Sequence, residues 1–213
     1  MPCPRLAAPI LLALMVGLAA GPAAAQKAEA PADLDLPGAK SPSATPQAPD
    51  TPAQLYPGDV FGESVTLPER TIIYLQGRSS WDGAQDTLVE SFKSLDEYLD
   101  KHGIKPDGPP MTIYTQTDDY GFRFRVAVPV ADAPKDPPKG DLAVGHTPSG
   151  KALKFVHHGS YESLNETYEA ITDYLDDKGI DAEDQFIEEY VSGPLQAGDN
   201  ELVVNILVPV KQP

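Results

Sequence analysis

The chain has 213 residues and a strongly acidic composition, with 16 Lys and Arg against 32 Asp and Glu and a formal net charge of -16. A charge of this sign repels nucleic-acid phosphates, which argues against a nucleic acid partner and favours cationic or neutral small molecules. The single cysteine, Cys3, precedes an apolar segment near the N-terminus. We therefore expect no disulfide and no thiol chemistry in the folded part of the chain.

The N-terminal residues have the three-part pattern of a secretory signal peptide. Arg5 supplies a positive charge, residues 10–20 form an apolar stretch, and residues 23–25 are small residues suited to cleavage. The apolar run is shorter than the roughly 20 residues that a membrane-spanning helix needs. We predict a cleaved signal peptide at residues 1–25, with an uncleaved anchor as the alternative. The protein would then be periplasmic or secreted, with no stable membrane insertion after cleavage.

The rest of the chain divides into two segments of different texture. Residues 26–66 are rich in Pro and Ala and have no hydrophobic periodicity, which predicts a disordered linker. From residue 67 onward, apolar runs typical of strands alternate with amphipathic stretches typical of helices. This pattern predicts one folded domain at residues 67–213.

Within the predicted domain the sequence repeats at an offset of 76 residues. Each copy contains an apolar stripe at i, i+4, i+7 and i+11, which is the spacing of one buried helix face. The stripe consists of Leu88, Phe92, Leu95 and Leu99 in the first copy and of Leu164, Tyr168, Ile171 and Leu175 in the second. Gly103 and Gly179 follow the stripes and predict the two helix ends.

Capping boxes of the form S/T-x-x-E predict where the helices begin. Thr87 with Glu90 forms this pattern in the first copy, and Ser163 with Glu166 forms it in the second.

Apolar segments around each helix predict strands in the order β-α-β-β in both copies. The first repeat covers about residues 70–130 and the second about residues 150–210. We predict an α+β fold in which two β-α-β-β units form an antiparallel sheet with two main helices. The units should be related by pseudo-twofold symmetry, with a central ligand cleft between them.

Short motifs in the second repeat carry a resemblance to a known family. Residues 159–164 read Gly-Ser-Tyr-Glu-Ser-Leu, residues 186–194 contain Glu-x-Tyr-x-x-x-Pro, and both repeats end on Val-Pro-Val. In order and spacing these motifs resemble the GyrI-like small-molecule-binding domains, which also form the effector-binding domains of AraC-type and multidrug-sensing transcription activators. The resemblance implies a ligand pocket, here without an attached DNA-binding domain.

Glu188 is the main candidate for a ligand-binding residue. The resemblance implies an acid two residues before a strand tyrosine at the floor of the pocket, and Glu188 with Tyr190 has this spacing. The repeat aligns Thr112 with Glu188 and Tyr114 with Tyr190, so the acid occurs once and the tyrosine twice. Strand alternation puts Glu188 and Glu189 on opposite faces, and which of them faces the cleft stays open. The alternative role for Glu188 is that of a solvated or ion-paired strand residue.

Aromatic residues are the other candidates for contact with a ligand. Tyr161, Tyr190 and Tyr114 are candidate pocket walls, with ordinary core packing as the alternative that we favour for Tyr114. Trp81 lies in the loop between strand and helix, which is longer in the first repeat than in the second. It is either a lid over the pocket or a cap on the core.

Metal and cofactor chemistry find no support in the sequence. His157 and His158 are adjacent, so on a strand they point in opposite directions, and no third ligand stands at a suitable spacing. We find no nucleotide-binding or serine-hydrolase motif, so no metal and no cofactor are predicted.

Three functions remain open. The first is an exported protein that holds a hydrophobic, cationic or neutral small molecule in the cleft against Glu188. The second, which the resemblance implies, is a hydrolase of reactive electrophilic small molecules with Glu188 as general acid or base. The third is a non-catalytic structural or adaptor module with an unknown protein partner.

Overall fold

The computed structural model describes residues 59–196, 198 and 200–211. The predicted signal peptide and most of the predicted linker lie outside these residues. The first strand begins at Glu63, four residues ahead of the start predicted for the domain. Its alternating half-buried side chains belong to the sheet, so the fold extends into the end of the segment predicted as linker.

Two helices carry the predicted apolar stripes. They are α1 (Ala84–His102) and α2 (Leu164–Lys178). Each ends at a glycine in the left-handed conformation, with φ of 64° at Gly103 and 60° at Gly179, which confirms the predicted helix ends. Neither helix has the length and hydropathy required to cross a membrane.

Neither helix has the predicted capping hydrogen bond, although Ser163 is the N-cap residue of α2 as predicted. Helix α1 begins three residues before Thr87, because a 3-10 turn at Trp81–Gly83 runs directly into it. Thr87 therefore lies inside the helix, where its hydroxyl contacts Ser79 Oγ at 3.0 Å. Ser163 does precede α2, but its hydroxyl donates to the Ser160 carbonyl at 2.9 Å and makes no capping bond to the helix.

Eight strands form a single antiparallel sheet in the described part of the chain, which confirms the predicted fold class. In space the strands follow the order β1-β6-β8-β7-β3-β4-β2-β5. Their bounds are β1 (Glu63–Leu67), β2 (Thr71–Ser80), β3 (Met111–Asp118), β4 (Gly121–Pro129), β5 (Leu142–His146), β6 (Gly150–Gly159), β7 (Phe186–Tyr190) and β8 (Leu202–Pro209).

The outer strands are exchanged between the two repeats. Strand β1 precedes β2 in the chain but pairs with β6, with Leu67 opposite Gly150. Strand β5 precedes β6 but pairs with β2, with His146 opposite Thr71. Each repeat is therefore a β-β-α-β-β unit rather than the predicted β-α-β-β unit, and each supplies the edge strand of the other half of the sheet.

The two faces of the sheet have different partners. Both helices pack on one face, where their stripes meet the apolar side chains of the strands in the main core. The other face carries a smaller apolar cluster, and no helix of the described residues packs on it. That cluster consists of Ile72, Met111, Ile113, Ala127, Ile187 and Leu207. Because the centre of the sheet is buried on both faces, its strands contain consecutive apolar residues.

Candidate functional site

The candidate site lies at the centre of the sheet, where β3 and β7 pair. Glu188 of β7 is directly opposite Thr112 of β3. Both side chains point to the helix face, because alternation along β7 aligns Glu188 with Phe186 and Tyr190 of the main core. The carboxyl group of Glu188 therefore projects between the sheet and the helices.

Three tyrosine hydroxyls donate hydrogen bonds to this carboxyl group. Tyr168 of α2 donates to Oε1 at 2.6 Å. Tyr190 and Tyr114 donate to Oε2 at 2.6 and 3.0 Å. The Glu188 carboxyl thus has phenol donors from one helix and from both central strands, and we call Glu188 with these three residues the tyrosine cage.

One further side chain extends the hydrogen-bond network. The Thr112 hydroxyl lies 3.2 Å from the Tyr190 hydroxyl. Because Tyr190 donates its only hydroxyl proton to Glu188, Thr112 is the donor in this pair. Tyr161, which precedes α2, is close enough to the network that the charge of Glu188 adds to the effect of burial and raises the pKa of its phenol. The segment that leads into α2 is therefore electrostatically coupled to the β3–β7 pair.

Burial governs the protonation of the cage. Glu188 is only 2% exposed. Desolvation raises the pKa of its carboxyl above the ordinary value, and the three phenol hydrogen bonds oppose this rise. Desolvation and the nearby carboxylate raise the pKa of Tyr114, Tyr168 and Tyr190 well above 10, so these phenols stay protonated donors. In the cage the Glu188 carboxyl is therefore the hydrogen-bond acceptor, and the three tyrosine hydroxyls are its donors.

Aromatic rings surround the cage. Phe186 stacks on Tyr114 with ring centroids 4.4 Å apart and meets the edge of Tyr168 at 5.3 Å. Phe92 of α1 contacts Tyr190 edge-to-face at 5.4 Å. Such rings can contact an apolar ligand, and their faces attract cations.

Glu189 faces the other side of the sheet. Its carboxylate lies 3.7 Å from the Arg70 guanidinium and accepts a hydrogen bond of 2.9 Å from Asn205. Of the two adjacent acids, Glu188 is therefore the one that points to the helix-facing core.

Trp81 is separate from the cage. Its ring packs on Phe122 at 4.9 Å, and its indole N–H donates to the Asp118 carbonyl at 2.8 Å. Phe122 in turn contacts Tyr114 at 5.1 Å. The Phe122 ring thus lies between Trp81 and the cage. This position makes Trp81 a cap on the core at one end of the sheet rather than a lid over the cage.

Tyr168 is the member of the cage that the sequence reasoning missed. The stripe assigned it to the helix core, where its counterpart in the first repeat is Phe92. The extra hydroxyl on Tyr168 was the available signal, because it occurs in one repeat only, as the acid at Glu188 does.

His157 forms hydrogen bonds on both sides of Tyr161, to Ser160 in the preceding segment and to Thr167 in α2. Its Nε2 lies 3.0 Å from the Ser160 carbonyl, so Nε2 carries the proton, and Nδ1 accepts from the Thr167 hydroxyl at 2.8 Å. Desolvation lowers the pKa of His157, although the bond to Ser160 opposes the change. In the described part of the chain no three His, Cys, Asp or Glu residues are grouped so that they could hold a metal ion.

Access to Glu188 depends on movement of the residues around it. Tyr114 and Tyr190 are buried, whereas Tyr161 and Tyr168 are partly exposed. Helix α2 has three buried residues and α1 has six, so α2 is held by less apolar burial. The side of the cage next to α2 is therefore the easier one to open.

Solved structures of several proteins share this fold. EcmrR in its DNA complex aligns with a TM-score of 0.60 at 18% identity over 71% of this chain, which spans 57% of the EcmrR chain. The separate C-terminal domain of EcmrR aligns with a TM-score of 0.55 at 16% identity, with 71% of this chain and 98% of the domain covered.

Two smaller proteins also align along most of their length. SAV2435 bound to tetraphenylphosphonium has a TM-score of 0.50 at 16% identity, with 71% of this chain and 94% of SAV2435 covered. A hydrolase encoded by lin2189 from Listeria innocua has a TM-score of 0.51 at 15% identity, with 71% and 92% covered. At these identities the likeness is one of fold.

Family comparison identifies the chain by its sequence. No curated protein matches it significantly. The model of the GyrI-like small-molecule-binding domain matches residues 63–211, which include every strand and both helices described above. This chain belongs to the GyrI-like small-molecule-binding domain family.

Proposed function

We propose that the protein binds a hydrophobic small molecule, cationic or neutral, and that Glu188 is the residue which recognises its polar group. The observation that carries the proposal is the cage: one buried carboxyl group that accepts three phenol hydrogen bonds among aromatic rings. Buried acids are uncommon in protein cores because desolvation of the charge is unfavourable. A binding role gives a reason for such a group on the helix face of the sheet.

In this proposal the ligand replaces Tyr168 as a hydrogen-bond donor to the Glu188 carboxylate. Tyr168 and Tyr161 move outward with the start of α2 and expose Glu188. The carboxylate then lacks one hydrogen bond in a poorly solvated site, which is unfavourable. A cationic group or a hydrogen-bond donor on the ligand compensates for the lost bond. The rings of Tyr114 and Phe186 offer apolar contact and cation-π attraction to the same ligand.

Family membership and the relatives support the same class of ligand. The family as a whole is described as binding small molecules. SAV2435 binds tetraphenylphosphonium, a lipophilic cation. The negative net charge of this chain would also attract a cation over long distances.

Titration with tetraphenylphosphonium tests the proposal. Isothermal titration of the wild type should give saturable binding, and Glu188→Gln should weaken it by roughly ten- to a hundredfold, because a buried charged partner is lost. Glu189→Gln is the matched control: it removes the same charge from the other face and should leave the affinity unchanged. Equal affinities in the wild type and both variants would reject Glu188 as the recognition residue. A wild type that binds neither this cation nor any of a set of neutral apolar compounds would favour a structural module.

A hydrolase is the second candidate, and the raised pKa of the buried Glu188 carboxyl favours it. Burial raises the pKa of this carboxyl, which suits a general acid or base, and one fold relative is described as a hydrolase. Turnover of strained electrophiles followed by mass spectrometry tests this function. Product formation by the wild type that is abolished in Glu188→Gln and retained in Glu189→Gln would favour catalysis over binding alone.

We also propose that the protein works outside the cytoplasm after removal of residues 1–25. The charged start, apolar stretch and small-residue cleavage site of the N-terminus support this proposal. Expression in a Gram-negative host followed by periplasmic extraction and mass measurement tests it. The expected species begins near Gln26, and a protein that stays full-length in the cytoplasm would contradict export.

A further inference from the structure

A row of polar side chains crosses three strands on the face of the sheet opposite α1 and α2. Arg78 of β2 lies directly opposite Arg123 of β4, and Arg123 lies opposite Gln116 of β3. Arg123 stands between Phe122 and Phe124, whose rings belong to the main core, so its side chain points away from the helices. All three side chains of the row are exposed.

Arg78 and Arg123 face each other, and neither has an acidic partner among the described residues. Like charges directly opposite on neighbouring antiparallel strands repel and destabilise the pairing. Within the described residues, neither Arg78 nor Arg123 forms an ion pair. The chain contains only five arginines, and Arg78, Arg123 and Arg125 are three of them on this one face. A cluster of uncompensated guanidinium groups is unusual in a protein whose net charge is -16.

A cavity lies beside this pair. It has a volume of about 430 Å³, and Arg78, Arg123, Gln116, Ser80 and Tyr120 are among the residues that line it. Asp118 also lines the cavity, but its Oδ1 accepts hydrogen bonds from the backbone N–H groups of Tyr120 and Gly121 at 2.9 and 3.1 Å. The cavity is therefore lined by two guanidinium groups and by neutral hydrogen-bond donors. Its one acidic side chain, Asp118, accepts hydrogen bonds from the backbone of the adjacent turn.

We infer that this cavity is a binding site for an oxyanion, the phosphate or carboxylate group of a small molecule. Guanidinium groups donate in a planar fork that matches both kinds of oxyanion. An anion between Arg78 and Arg123 removes their repulsion and accepts further hydrogen bonds from Gln116 and Ser80. The site is distinct from the tyrosine cage, which lies on the opposite face of the sheet.

Calorimetric titration of the full-length chain with inorganic phosphate tests this site, and a parallel titration with malonate separates phosphate from carboxylate recognition. Both are done at constant ionic strength set by chloride. The wild type should bind at least one of the two anions saturably. Arg78→Gln and Arg123→Gln should each weaken that binding by about tenfold, because each loses one charged hydrogen-bond donor.

Arg125→Gln is the matched control. Arg125 is on the same face, but its guanidinium lies over the Tyr74 ring at 4.9 Å and it does not line the cavity. It should bind the anion as the wild type does, and so should Glu188→Gln, which separates this site from the proposed function. Equal weakening in all three arginine variants, or no saturable binding of either anion by the wild type, would overturn the inference.

Thermal melting supplies a second readout that does not depend on calorimetric heat. Without an added anion, Arg78→Gln should melt at or above the temperature of the wild type, because it removes the repulsion between the pair. The anion that binds should raise the melting temperature of the wild type, and at the same anion concentration it should raise that of Arg78→Gln by clearly less. An equal rise in both proteins would count against the site.

Discussion

Thr112 and Glu188 occupy the same position in the two repeats and lie directly opposite each other across the central strand pair. The pseudo-twofold axis of the domain therefore passes between them. A ligand at Glu188 would sit at the junction of both repeats, although only one repeat supplies the acid. Tyr168 adds to this asymmetry, because its counterpart in the first repeat is Phe92.

Replacing Tyr168 with Phe makes the second repeat resemble the first at this position. The change removes the 2.6 Å hydrogen bond to Glu188, which should lower the free energy of unfolding by about 1–2 kcal/mol. It should also raise the pKa of Glu188 further, since one stabilising donor is lost. Urea denaturation measures the first effect. Tyr174→Phe, on the same helix, is the control, and a loss of equal size there would contradict a special role for the Tyr168 hydroxyl.

The raised pKa of Glu188 predicts a definite dependence of stability on pH. The folded protein binds this proton at a higher pH than the unfolded chain, whose ordinary value is 4.5. The stabilisation from protonation is complete below pH 4.5 and is lost as the pH rises through the folded pKa. The free energy of unfolding of the wild type minus that of Glu188→Gln should therefore fall as the pH rises from 4.5. A difference that grows with pH would contradict the predicted direction.

His157 should act in the opposite direction. Its folded pKa is lowered from 6.5, so the unfolded chain takes up a proton first as the pH falls. The stability that the neutral imidazole contributes is complete above pH 6.5 and is lost as the pH falls toward the folded pKa. The stability advantage of the wild type over His157→Gln should shrink below pH 6.5 in urea denaturation. An advantage that does not change between about pH 5 and pH 8 would refute this expectation.

Two glycines with similar backbone angles allow a test of the packing that precedes β1. Gly62 has φ of 77°, and a Cβ there would lie 2.5 Å from Cζ of Tyr174. Gly140 has φ of 81°, and a Cβ there would meet nothing within 4 Å. Substitution by Ala should cost about 1–2 kcal/mol at either site because of the left-handed backbone. Gly62→Ala should cost about 1 kcal/mol more, because the Tyr174 ring must shift. Equal melting temperatures for the two variants would mean that the ring moves freely.

Strong local periodicity explains which parts of the fold could be predicted from the sequence. The stripes of α1 and α2 and the terminal Gly103 and Gly179 are local signals, and the structure contains them as expected. Strands β1 and β5 were missed. Each has five residues, lies at an edge of the sheet and forms only by pairing with a strand of the other repeat. A local pattern of five half-buried residues does not reveal which distant strand they will pair with.

The candidate site was predictable only in part for a related reason. The resemblance to the family singles out Glu188, whereas alternation on β7 only places Glu188 and Glu189 on opposite faces and does not say which of them faces the helices. The hydroxyl of Tyr168 reaches Glu188 through the tertiary packing of α2 on the sheet, and the helix stripe alone does not say which strand residues the helix will meet. The sequence does not decide between a lid and a cap for Trp81, since the position of a loop side chain depends on the tertiary contacts that it makes.

The exchanged edge strands suggest how the domain could arise from a single repeat and what would happen if the chain were cut between its repeats. A gene for one repeat alone would encode a sheet whose outer strand has no partner in its own chain, and two copies would complete each other by trading those strands. Joining the copies in tandem keeps them at a high effective concentration, so assembly no longer depends on how much protein is present. Scission between β4 and β5 would restore that dependence, and the two fragments would find each other again only when mixed in sufficient amounts.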